Sequence, residues 1–356
     1  MPQCKALTNQ LFIDVSGFYA PCCMITDRNP KNLIESCSPE EWLISPEMKS
    51  IQDNMNGDSW DSKCHICKLA ESEGRESFRE IYNREYSQPA GTLETFLINT
   101  RNICNIRCRM CSPTYSNKWA DTLKVIPIDS NLNFMEQYEK IKHLIGPNFK
   151  YLKIAGGEPF LDPGVIKVIE SVLEKCTKLD LQFNTNLTFF PKKYKSILDK
   201  VHTIRPIYSV DGTGLVNDYI RHDSDWETTT DVLHQWTDYI HSRSCSSDEP
   251  HFQTTVQAYN FHDQQNIKNL MHSFGITKEI NWIKFSINWP FEFRLHALPP
   301  EYIKKHTNSA NEKFVTNYKF DEKLFFKLKE KTIADDKLLG TTIGNCIPEL
   351  YELLYK

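Results

Sequence analysis

Between residues 93 and 290 the chain alternates short apolar runs with longer amphipathic ones. The apolar runs at 93–99, 151–155, 179–184, 203–210, 252–259 and 282–288 are bounded by turn-forming residues, which predicts strands. Between them, residues 134–145, 164–176, 191–199, 226–243 and 262–274 carry apolar side chains at helical spacing. Strand and helix in steady alternation imply a parallel sheet with helices outside it. Six such units predict an α/β fold, a partial (β/α)6 TIM-like barrel rather than a closed eightfold one.

The flanks have a different texture. Residues 39–55 and 69–86 read as helices around a turn-rich stretch at 56–62, and residues 11–14 and 17–20 read as a hairpin turning at Ser16-Gly17. Gln88-Pro89-Ala90-Gly91 then breaks the pattern, and the tail from 299 to 356 is helical and charged. The expected organisation is a small amino-terminal domain at 1–88, the partial barrel at 89–298 and a helical carboxyl-terminal extension at 299–356.

Composition narrows the function classes. Hydrophobic residues make up 40% of 356, enough for a sizeable core, which excludes a disordered chain. Forty-two basic residues face 46 acidic ones, and neither sign gathers into a block that would make a nucleic-acid or membrane arm. With no signal-like start and no apolar window long enough to span a bilayer, the chain is expected to be soluble and cytoplasmic, with no membrane partner. In that compartment twelve cysteines imply metal ligands before disulfides.

Three of those cysteines stand on the loop after the first barrel strand, as Cys104-Asn-Ile-Arg-Cys108-Arg-Met-Cys111. Thiolates suit iron–sulfur clusters and zinc alike, and both normally take four ligands, so three on one loop leave a metal position open to a small molecule. A zinc site completed by a distant residue, or cysteines packed as small hydrophobes, is the plain alternative. One βα unit later comes Gly156-Gly157-Glu158-Pro159, where paired glycines allow close backbone approach and the carboxylate could accept a hydrogen bond from an ammonium group. Asn184-Thr185-Asn186, then Ser209-Val210-Asp211-Gly212 with Arg221 beyond, end the next two strands. Polar residues recurring at successive carboxyl ends of parallel strands mark a binding mouth.

In these motifs the region 93–290 resembles the radical S-adenosylmethionine (SAM) superfamily. The resemblance implies that Cys104, Cys108 and Cys111 hold three irons of a [4Fe-4S] cluster while SAM chelates the fourth. It further implies that Gly156, Gly157, Glu158 and Pro159 support the SAM amino group, that Asn186 fixes the methionyl end, and that Ser209 and Asp211 lie near the ribose. Arg221 would grip the carboxylate, with Arg205 and Arg294 as charged alternatives. The family usually has an aromatic residue before the last cysteine; here it is Met110, whose thioether could still cover the adenine edge.

Cys4, Cys22 and the pair Cys64-His65-Ile66-Cys67 could close a second, four-thiolate site, with Cys23 as an alternative to Cys22. This arrangement resembles the twitch unit, a shortened SPASM extension that carries an auxiliary [4Fe-4S] cluster, although here it precedes the core. Glu71, Gly74, Ser77 and Arg79 resemble amino-terminal versions of that extension. Structural zinc is the competing reading. Cys37, Cys176, Cys245 and Cys346 have no partner at recognisable spacing.

Taken together, the resemblance implies an oxidoreductase or maturase that cleaves SAM to a 5′-deoxyadenosyl radical, which takes a hydrogen from a peptide or protein substrate. The alternatives are dehydrogenation of a small carbohydrate-like molecule, or an inactive zinc- or cluster-binding protein. A one-electron donor such as flavodoxin or ferredoxin is the expected partner, and nucleic acid is not. Tyr259, Asn260, His262, Glu292, Arg294 and His296 are candidates for substrate contact, with a loop packed on the carboxyl-terminal helices as the alternative.

Overall fold

The computed structural model describes residues 3–355 apart from 26–28, 58, 73, 75, 90, 127–131, 244, 246 and 288. Ala90 of the expected break and Asn288 at the end of the sixth expected strand therefore lie outside the described residues, as do residues 58, 73 and 75 of the expected amino-terminal turn and helix. Among the described residues ten strands form: β1 (Gln10–Ile13), β2 (Tyr19–Ala20), β3 (Thr95–Asn99), β4 (Arg107–Cys108), β5 (Tyr151–Ala155), β6 (Asp180–Thr185), β7 (Thr203–Ser209), β8 (Arg221–His222), β9 (His251–Val256) and β10 (Trp282–Ser286).

Eight of them make one sheet in the order β10-β9-β7-β6-β5-β3-β1-β2, while β4 and β8 pair separately. Every pairing in the large sheet is parallel except β1 with β2. The six expected barrel strands are all in it. The amino-terminal hairpin joins them, with Gln10 of β1 opposite Thr95 of β3, so the sheet has two more strands than the barrel pattern alone predicts. β1 is buried at all four positions and pairs with β2 along one edge and β3 along the other.

Side-chain alternation divides the faces of the sheet. Leu152, Ile154, Leu181, Phe183, Ile204 and Tyr208 point to the outer side, each no more than 1% exposed, and pack on helices Pro163–Leu173 and Trp226–Ser242. Burying each such side chain contributes about 1.5–3 kcal/mol. On the inner face the alternate positions are mixed: Lys153, Asn184, Ser209, Gln253 and Thr255 are polar, while Leu97, Ile207 and Phe285 are apolar. The polar positions depart from the near-continuous apolar run expected of parallel strands buried on both sides.

Two expected helices are each divided. Residues 39–55 form Pro39–Leu43 and Pro46–Asn56, because Pro46 removes a backbone donor and Ser45 caps the second segment. Residues 69–86 form His65–Ser72 and Phe78–Glu85, the latter opened by a capping box of Ser77 and Glu80. Helix Phe78–Glu85 bridges the inner face: Phe78 stacks on Phe285 of β10 with ring centroids 4.7 Å apart, and Glu85 pairs with Lys153 of β5 at 2.6 Å.

The carboxyl-terminal extension is helical, as Pro300–His306, Glu322–Leu339, Ile343–Cys346 and Pro348–Tyr355. Its apolar residues, Leu328, Ile343 and Leu350 among them, build a second core with Val216, Tyr219 and Ile220. Among the described residues no helix is long and apolar enough to cross a membrane.

Candidate active site

The cysteine loop leaves the carboxyl end of β3 and is held from several directions. In the β4–β8 ladder Arg107 stands opposite His222 and Cys108 opposite Arg221. Arg107 grips Asp223 with both Nε and Nη2, at 2.7 and 2.8 Å. Cys104 N donates to Asn117 Oδ1 at 2.9 Å, and Trp119 Nε1 donates to the Cys108 carbonyl at 2.9 Å.

The Gly-Gly pair docks on this same loop. A Cβ on Gly157 would lie 2.1 Å from the Ile103 carbonyl oxygen, and one on Gly156, whose φ is +127°, would lie 2.5 Å from Thr100 Oγ1. The glycines thus let two backbones touch, and Glu158 N donates to Ile103 O at 2.7 Å to fasten them. Pro159 is buried and opens the short 3-10 turn Pro159–Leu161.

Burial pushes all three thiols up, Cys111 to about 12; charge on Cys104 raises Cys108 and Cys111 further, and the Glu158 carboxylate does the same to Cys104. Iron would have to displace those protons, and a donor set of three thiols fits a cluster with one open iron. Among the described residues no group of three or more His, Cys, Asp or Glu is spaced to hold a single metal ion.

Two orphaned polar atoms flank the loop. Glu158 is 1% exposed; its Oε2 accepts from Asn186 N at 2.7 Å, and the Phe160 N–H and Thr185 hydroxyl face the carboxyl, yet Oε1 has no well-formed hydrogen bond among the described residues. Burial raises this carboxyl to about 7. Arg221 is buried too, and its Nη1 donates to Asp211 Oδ2 at 2.8 Å while Nε has no partner among the described residues. An unsatisfied acceptor and an unsatisfied donor fit the ammonium and carboxylate of an amino-acid moiety such as that of SAM.

Asn186 Nδ2 donates to Asn105 Oδ1 at 2.8 Å and lies 3.9 Å from Cys104 Sγ. Ser209 is half-buried at the end of β7, and Met110 is half-buried against the second core. Asp211, expected near the ribose, accepts on both oxygens, from Arg221 and from Thr255 N at 2.8 Å. Arg205, an alternative carboxylate grip, is bound to Asp180 and Glu249.

The structure brings Cys4, Cys22, Cys64 and Cys67 to one cavity, with Phe78 and Tyr82 in its wall. Cys23 is not in that lining; it pairs with the Tyr82 hydroxyl at 3.3 Å and packs against Phe12, Ala20 and Leu97. Burial pushes Cys4 up to about 11 and Cys64 to about 12; at Cys67 it is opposed by the Arg79 and Phe78 backbone N–H groups in the first turn of helix Phe78–Glu85. Glu71 and Arg79 form a two-pronged pair at 2.8 Å, with Ser77 Oγ donating to Glu71 at 2.6 Å, which braces the two helices around the cavity.

Several candidates for substrate contact are fold residues. Tyr259 bonds to Thr332 at 2.8 Å, Asn260 donates to the Asp211 and Thr255 carbonyls, and burial lowers His262 to about 4. Glu292 and Arg294 are half-buried, His296 is exposed, and the Arg294 guanidinium lies over the Phe291 ring at 4.5 Å. A residue the sequence did not single out is Arg109, whose buried guanidinium reaches Asp336, 227 residues away. No local pattern could have signalled a partner at that separation.

No family model matches this sequence. Over 96 residues the chain is 32% identical to the GTP 3′,8-cyclase of Campylobacter fetus subsp. fetus (strain 82-40), covering 27% of this chain and 28% of that one. Over 108 residues it is 31% identical to the GTP 3′,8-cyclase of Helicobacter pylori (strain HPAG1), covering 30% and 32%. The chain thus spans about three tenths of the length of these curated relatives. Streptococcus suis SuiB bound to its precursor peptide SuiA is a structural neighbour with TM-score 0.44 and 14% identity, over 82% of this chain and 63% of that one. SuiB bound to S-adenosylmethionine aligns with TM-score 0.42 and 14% identity, over 77% and 56%. The cyclase similarity supports the likeness to the radical SAM superfamily.

Proposed function

We propose that this chain is a radical SAM enzyme whose loop cysteines Cys104, Cys108 and Cys111 hold a [4Fe-4S] cluster. The observation that carries the reading is the pairing of orphaned Glu158 Oε1 and Arg221 Nε on either side of a three-thiol loop. When bound, the reduced cluster supplies an electron to cleave SAM and start radical chemistry. The chain's own part is to position and enclose. Glu158 accepts from the amino group, Arg221 holds the carboxylate while Asp211 fixes the guanidinium, Ser209 faces the ribose, and the polar inner wall around Asn184 and Gln253 receives substrate.

Cys4, Cys22, Cys64 and Cys67 are assigned an auxiliary cluster, as in twitch units, and peptide or protein modification is the substrate class that this likeness favours. A second reading, a nucleotide-like small substrate, is favoured by the local similarity to GTP 3′,8-cyclases. The test is anaerobic purification and reconstitution with iron and sulfide, followed by assay of 5′-deoxyadenosine. About eight irons per chain with SAM cleavage is expected of two four-iron clusters, and about four would remove the auxiliary one. Stoichiometric zinc without cleavage would overturn the proposal.

A further inference from the structure

The middle cysteine of the loop stands between two arginines, and each is fixed by a carboxylate. Arg107 is tied to Asp223 near the surface, as described. Arg109 turns the other way, into the second core, where its side chain is wholly buried. Its Nε donates to the Tyr219 carbonyl at 2.8 Å, its Nη2 donates to Asp336 Oδ1 at 2.7 Å, and the guanidinium lies 3.7 Å from the centre of the Tyr219 ring. Its backbone N donates to the Ile220 carbonyl at 2.8 Å, continuing the β4–β8 ladder.

Asp336 is equally committed. Its second oxygen accepts from Ile343 N at 2.9 Å, and Thr341 Oγ1 donates to the first at 3.0 Å, so one carboxylate joins the end of helix Glu322–Leu339 to the start of helix Ile343–Cys346. A buried guanidinium is a costly way to fill space, and Arg109 Nη1 has no partner among the described residues. What the arrangement provides is direction: Cys108 is clamped on both sides, once by the barrel and once by the extension.

We infer that Arg109 and Asp336 form a strut through which the carboxyl-terminal extension sets the position of the cysteine loop. Arg109 is thus a positioning residue for the cluster site; calling the loop that site rests on the function proposed above. Both charges act together. Removing one leaves the other buried and unpaired, so the loop should loosen even where the rest of the fold persists.

The experiment uses the full-length chain. Hydrogen exchange of residues 104–111 is measured in metal-free protein, and iron retained after desalting is measured in reconstituted protein, for wild type, Asp336→Asn and Arg109→Gln. Asp248→Asn is the comparator, because it breaks the buried Arg243–Asp248 pair at the other end of the sheet. The strut predicts exchange about tenfold faster in both test variants, with retained iron falling to about half or less. The comparator should leave both readings at wild-type levels despite a similar loss of melting temperature. Equal acceleration in Asp248→Asn, or none in Asp336→Asn, overturns the strut. If wild type assembles no cluster the proposed function fails, while the exchange comparison still decides whether the strut exists.

Discussion

Cys108 and Arg221 face one another across a two-residue antiparallel ladder, so the middle thiol of the cysteine loop and the guanidinium paired with Asp211 are fixed in one backbone frame. The ladder links the loop after β3 to the segment after β7. Whatever the thiols hold is thereby placed against a buried positive charge with one unused donor edge.

That edge gives a first prediction. Arg221→Lys retains the charge and can still reach Asp211, but loses the planar fork, so SAM affinity of the reconstituted enzyme should fall about tenfold to a hundredfold. Equilibrium binding of SAM, read with the cluster's electron paramagnetic resonance signal, checks it. Unchanged affinity would assign the carboxylate grip elsewhere.

The amino-terminal cavity discriminates between two adjacent cysteines. On the function proposed above, Cys22→Ser should remove the proposed auxiliary cluster and lower iron from about eight to about four per chain. Cys23→Ser should leave the count intact, since that thiol turns to Tyr82. Iron and sulfide analysis of the two variants, side by side, tests the assignment; the reverse outcome would exchange their roles.

Gly157 is a steric prediction. A methyl group there would lie 2.1 Å from a backbone carbonyl oxygen that has no flexible way out, so Gly157→Ala must displace either the loop or the strand end. Destabilisation of about 2 kcal/mol or more is expected, together with poor cluster loading. Chemical denaturation of the metal-free chain measures the first and iron content the second. A variant with wild-type stability would mean that the two backbones are not in contact.

Glu158 carries a pH signature. Burial raises its carboxyl from 4.5 to about 7, so between those values the folded chain binds a proton that the unfolded chain has released. The associated stability is fully present below the lower value and is lost as pH rises through 7, by about 3 kcal/mol in all. Glu158→Gln keeps the shape without the titration, so its melting temperature should gain on wild type between pH 5 and 8 in metal-free protein. Identical pH profiles for the two chains would contradict the burial of the carboxyl.

Periodicity and spacing are short-range signals, and what they encode was legible. The alternation of apolar side chains located six strands of the parallel sheet, and the hairpin at residues 11–20 was readable from its turn. The spacing of Cys104, Cys108 and Cys111 marked the loop before any geometry was known. Only the tertiary structure decided that the hairpin continues the parallel sheet through β1 and β3, and that Cys22 rather than Cys23 enters the cavity. It likewise decided that Asp211 serves Arg221, that the glycines approach the cysteine loop itself, and that Asp336 anchors Arg109. Each of these depends on where a side chain points once distant segments are packed together, and in a chain read one window at a time that direction has no local cause.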